Sequence, residues 1–185
     1  MVAGRFLFVS ILALSQSALS LAAGSGASGI ISSIKTISDE VVKLKSTLNG
    51  FADNAQITST ALKLQGGASD LLKDIKNGAE EADKVSSLEP ADQEKIATAI
   101  VPLSEKVVSL INGFVTKKPV FQKALLGGGS ADGLVEKDLK DLKEATESFG
   151  QAALKSFSGA PKDKATSVVK EIDEHFADAI KTFST

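Results

Sequence analysis

Ile30, Ile34, Ile37, Val41, Leu44, Leu48 and Phe51 recur at alternating steps of four and three, which places all seven on one side of a single amphipathic helix. A second stripe, Ile57, Ala61, Leu64, Ala68, Leu71, Ile75, Ala79, Ala82 and Val85, is rich in alanine and interrupted by Gly66 and Gly67. Each glycine weakens a helix by roughly 1 kcal/mol relative to alanine, so the pair marks a kink or a close crossing. Leu88-Glu89-Pro90 breaks the chain, since proline disfavours helix in the residue before it and suits the first position of the next. Ile96, Ile100, Leu103, Val107, Leu110 and Phe114 resume the stepping; Pro102 should bend this third helix, and Lys117-Lys118-Pro119 should end it.

A short apolar piece from Val120 to Leu126 leads into Gly127-Gly128-Gly129-Ser130, read as a loop. The fourth stripe is Val135, Leu139, Leu142, Thr146, Phe149, Ala153 and Phe157, with Thr146 a polar group in core phase. After Ser158-Gly159-Ala160-Pro161 comes the fifth: Ala165, Val169, Ile172, Phe176, Ala179 and Phe183. No period-two stretch is long enough to compete as a strand. The expected fold is therefore all-α, a five-helix up-and-down bundle in which short connections favour antiparallel neighbours. Its interior closes on a solid core or leaves an apolar cavity, and periodicity does not choose between the two.

Composition narrows the partners. Twenty-one basic and twenty-three acidic side chains nearly cancel, so no long-range field draws in a polyphosphate. Arg5 is the only arginine, and the chain lacks Trp, Tyr and Cys. No nucleic-acid partner is expected on these grounds, because the chain beyond Arg5 lacks the planar guanidinium fork that reads phosphates and guanine edges. Without cysteine, stability must come from helix length and burial.

Residues 1–22 read as a secretory signal peptide: Arg5 supplies the charge, Phe6 to Leu14 an apolar run too short to span a bilayer, and Ser20-Leu21-Ala22 the small residues for cleavage. Residues 23–29 follow as a flexible leader and 30–185 as the helical domain. No transmembrane segment and no C-terminal anchor tail are expected, so the protein is placed outside the cell, with wall association left open.

Candidate chemistry is sparse. The glycines of 24–29 match a dinucleotide-loop spacing but follow no strand. Gly128-Gly129-Ser130-Ala131-Asp132 has Asp132 where a nucleophile elbow needs glycine. His175, with Glu171 and Asp178 a turn away, is the single imidazole, a poor zinc set. The reading is a non-catalytic protein with no catalytic residues, no metal and no cofactor.

Phe114-Val115-Thr116-Lys117-Lys118-Pro119-Val120-Phe121, the run Leu139 to Phe149, Pro161 and the ending Ile172 to Ile180 together resemble the fungal hydrophobic surface-binding protein A family, which also takes in the cell-wall galactomannoproteins. The resemblance extends from about Ile30 to Phe183. It implies a secreted five-helix lipid-binding fold, in which some relatives enclose fatty acids and others coat hydrophobic solids and help recruit a polyester-degrading esterase. Two functions follow as expectations. One is a carrier that encloses a fatty acid or similar amphiphile; the other is a surface-active protein on a hydrophobic surface with a secreted esterase as partner. For the carrier, the central stripe members Ile37, Val41, Leu44, Leu103, Val107, Leu110, Phe149 and Ile172 should meet at mid-height along the tail. Thr146 would stand near the head, unless its hydroxyl bonds the carbonyl one turn earlier in its own helix.

Overall fold

The computed structural model describes residues 18–126 and 129–184. Its helices are α1 (Ala18–Asn49), α2 (Ile57–Asp83), α3 (Pro90–Phe121), α4 (Asp132–Leu154) and α5 (Gly159–Phe183). Between α3 and α4, Leu125–Leu126 and Gly129–Ser130 form a minimal antiparallel ladder, β1 and β2. The first 17 residues of the expected signal peptide, and Gly127 and Gly128 of the expected loop, lie outside the described residues.

Each start and stop has a local cause. Asn54 Oδ1 accepts from the Gln56 N–H at 2.8 Å before α2. Glu89 is extended and Pro90 opens α3, where the N–H groups of Asp92 and Gln93 both reach the Glu89 carbonyl. The stripe residues become the core: Ile30, Ile34, Ile37, Val41, Leu44, Leu48 and Phe51 are all buried.

Two expectations change. Residues 23–29 are helical, not a flexible leader. Ala27 is buried, and a Cβ on Gly26 would stand 2.9 Å from Val85 Cγ2, so a small residue there serves a close approach of α1 to the end of α2. The third helix runs through both Pro102 and Pro119 to Phe121, not ending at the lysines. By length and composition α3 also passes for a membrane-crossing helix, with mean hydropathy 1.3 over its most apolar window. Here its apolar side packs between α1 and α5.

The helices form a closed ring in the order α1, α2, α4, α5, α3 and back to α1. The chain alternates direction, yet sequence neighbours are not always ring neighbours. α1 with α2 and α4 with α5 are antiparallel: Gly67 faces Leu44, and Lys143 pairs with Asp173. α1 with α3 is parallel, since Ser38 meets Lys106 and Phe51 meets Lys117. α3 with α5 is parallel as well, Gln93 meeting Ser158 and Lys118 meeting Thr182. Short loops thus do not force antiparallel contact throughout, because the two connections flanking α3 cross the ends of the ring.

Both ends are closed. Where α1, α3 and α5 finish, the Phe121 ring lies 4.5 Å from Phe51, 5.8 Å from Phe114 and 6.0 Å from Phe183, centroid to centroid. At the opposite end the buried Gln93 amide donates to the Leu88 carbonyl at 2.9 Å and accepts from the Ser158 N–H at 2.9 Å. That one side chain ties the α2–α3 connection to the α4–α5 turn, where Gly159 adopts φ +57°.

Candidate functional site: an apolar chamber inside the ring

Five amphipathic helices arranged in a ring turn their stripes toward a common axis. A chamber of about 90 Å³ runs along the axis. On α3 its lining extends from Ile96 to Phe114, roughly 27 Å at 1.5 Å per residue.

Of the eight apolar residues expected along the tail, seven line it: Ile37 and Val41 from α1, Leu103, Val107 and Leu110 from α3, Phe149 from α4, and Ile172 from α5; Thr146, expected near the head, lines it too. Leu44 does not. Its side chain is buried against α2, with Cδ1 3.0 Å from where a Cβ on Gly67 would stand. Gly67 lets the two helices close at that height, so Leu44 fills their seam. Gly66, one residue away, has nothing within 4 Å of such an atom. The close crossing belongs to one glycine of the pair.

Sequence reasoning passed over Gly150 and Val168, which also line the chamber together with the stripe member Val169. A Cβ on Gly150 would stand 2.7 Å from Val169 Cγ2, so this glycine sets how closely α4 and α5 approach. The signal was present as a glycine inside a strongly periodic helix, which asks for a packing reason.

Every lining residue is apolar or glycine except Thr146. Thr47, Thr116 and Thr166 each donate to the carbonyl four residues earlier, at 3.2, 2.8 and 2.8 Å. The Thr146 hydroxyl forms no hydrogen bond within the protein, so the self-bonded alternative is not adopted. Outside the chamber, on the α4–α5 seam, Lys143 is held by Asp173 at 2.5 Å and by Glu147. Its side chain is 26% exposed, the least of any ion-paired lysine among the described residues. No group of three or more His, Cys, Asp or Glu able to hold a metal occurs among the described residues. His175 is half-buried on α5.

The family model described as hydrophobic surface binding protein A matches residues 27–156. The chain belongs to that family. Its fold matches Afmp4p in complex with palmitic acid at a TM-score of 0.77 and 28% identity, over 85% of this chain and 99% of that one. It also matches ligand binding domain 2 of the Penicillium marneffei MP1 protein, complexed with multiple arachidonic acids, at a TM-score of 0.74 and 18% identity, over 85% and 95% of the two chains. Ligand binding domain 1 of the same protein, complexed with arachidonic acids, gives 0.71 and 12% over 83% and 95%. No curated protein sequence matches. The family and these structural neighbours are binding proteins, and α5 lies outside the matched segment while completing the ring.

Proposed function

We propose that this hydrophobic surface binding protein A relative is a secreted, non-catalytic carrier that encloses the chain of a fatty acid or similar amphiphile within its helical ring. The observation that carries the reading is the chamber: a long apolar axis lined from all five helices, with one polar side chain. The tail would lie along Ile37, Val41, Leu103, Val107, Leu110, Phe149 and Ile172, with the head at Thr146. The fatty acids bound by the structural neighbours support the same class of ligand.

The space itself sets a condition. A dry apolar cavity of about 150 Å³ accepts a single benzene, so about 90 Å³ does not take a long acyl chain without movement. Side chains along the axis must turn, or the helices must part. The lining residues of α1 and α2 are all buried, whereas half-buried ones stand on α3 (Ile100, Val107), α4 (Phe149, Leu154) and α5 (Val168, Val169). Parting the helices on that side uncovers side chains that are already partly exposed.

The family description favours a second reading, a protein that coats hydrophobic surfaces, with a secreted esterase as its proposed partner. Among the described residues only Val42 and Leu62 are large apolar side chains standing well exposed, at 50% and 54%. Two separate side chains make no contiguous patch, so coating would require the ring to open. Titrating delipidated protein with a fluorescent fatty acid separates the two. Saturation at about one equivalent is expected; no saturable binding below roughly 100 μM, near 5.5 kcal/mol, would favour the surface-active reading.

A further inference from the structure

We infer that the chamber selects amphiphiles whose polar end is uncharged: a long-chain alcohol or ester, or a fatty acid in its protonated form. This rests on the enclosing function proposed above and adds the protonation state of the headgroup. The cause is the chemistry of the lining. None of its residues is Lys, Arg, His, Asp or Glu, and Thr146 offers a single hydroxyl. All lining residues except Phe157 lie within the five helices, where main-chain N–H groups are engaged in the helical ladder. A carboxylate drawn inside would lose its water and gain one hydrogen bond, and burial of that kind pushes a carboxyl group toward its neutral form. A hydroxyl or a protonated carboxyl loses much less and either donates to Thr146 or accepts from it.

The rim gives an anion no help. Lys143 and Glu147 flank Thr146 in the sequence of α4, and Lys143 pairs with both Glu147 and Asp173 of α5; the chamber residues of α1, α2 and α3 are all uncharged. Lys143 is already shared by two carboxylates, so that cluster carries one net negative charge. An incoming carboxylate would compete with two acids fixed on the protein for one ammonium.

The test uses two ten-carbon ligands soluble enough to titrate, decanol and decanoate, with full-length secreted protein and calorimetry at pH 6, 7 and 8. Decanol affinity should not change with pH. Decanoate affinity should fall about tenfold per pH unit, roughly 100-fold from pH 6 to pH 8, as the protonated fraction falls above a carboxyl pKa near 4 to 5. Decanoate binding that is equally tight at pH 6 and pH 8, or tighter than decanol at pH 8, would overturn the inference while leaving enclosure intact. Failure of both ligands to bind at every pH would overturn enclosure itself. Thr146→Val, nearly isosteric, should weaken decanol several-fold and leave binding of decane unchanged; equal loss for both would mean that the hydroxyl does not read the headgroup.

Discussion

Lys117 reaches from α3 across to α1 and donates to the main-chain carbonyl of Phe51 at 2.6 Å. The next residue, Lys118, turns the other way and donates to the Thr182 carbonyl near the end of α5 at 2.6 Å. α1, α3 and α5 are parallel neighbours, so their negative dipole ends gather at one end of the ring. Two consecutive lysines on the middle helix place a cation at the end of each flanking helix. Replacing Lys117 by Met keeps the apolar stem and removes the charge. Urea unfolding should then show a loss of about 1 kcal/mol at low salt, the upper part of the range for a charge at a helix terminus. A loss that does not shrink in high salt would mean that packing, not charge, was removed.

Two glycines should respond oppositely to the same substitution. Gly66 is exposed in the interior of α2 with nothing near a new Cβ, so Gly66→Ala should stabilise by about 0.8 to 1 kcal/mol. Gly150→Ala sets a methyl 2.7 Å from a stiff, β-branched Val169. Thermal unfolding should show a loss of about 1 to 3 kcal/mol for this overpacking, and Val169→Ala in the same chain should recover most of it.

Much of the ring was legible because a stripe at steps of three and four reports one fact, which side of a helix is buried. Ile37, Val107 and Ile172 could be placed on an inner face from spacing alone. What spacing does not report is which helix stands beside which. The α1–α3 and α3–α5 contacts are fixed by pairs 64 to 68 residues apart, such as Lys117 with Phe51 and Lys118 with Thr182, and no local pattern announces them. Leu44 was misread for the same reason: it shares the phase of Ile37, and only the partner glycine on α2 diverts it from the chamber. The Gly24–Gly29 run was misread because glycine reads locally as freedom, whereas Gly26 answers to Val85.

Val107→Phe tests whether the axial space is the binding site. Val107 is half-buried on α3 and lines the chamber, so a phenyl group there enters existing space. The fluorescent fatty acid should bind at least tenfold more weakly, while unfolding free energy should change by less than about 1.5 kcal/mol, because the added volume occupies a void and not a filled core. Unchanged affinity in a folded variant would move the acyl chain elsewhere.

Asp138 supplies the clearest dependence of stability on pH. It is half-buried on α4 beside Gln65, Leu134 and Val135. Burial raises its pKa from 3.8 to about 6; the nearby Asp141 adds to the rise and Lys137 opposes it. The folded protein therefore holds the proton more tightly than the unfolded chain between those two values, and stability contributed by this group falls as pH rises from about 4 to above 6. At pH 7.5 the ionised carboxylate is a net cost, limited to about 1 kcal/mol because solvent still screens the group. Asp138→Asn removes the titration and keeps the shape. It should raise unfolding free energy by about that amount at pH 7.5 and leave it nearly unchanged at pH 4. Urea titrations of both proteins at the two pH values provide the measurement. An asparagine variant that gains as much at pH 4 as at pH 7.5 would show that the carboxylate's charge is not the cause, and one that loses stability at pH 7.5 would mean that the ionised form is favoured by a partner on α2.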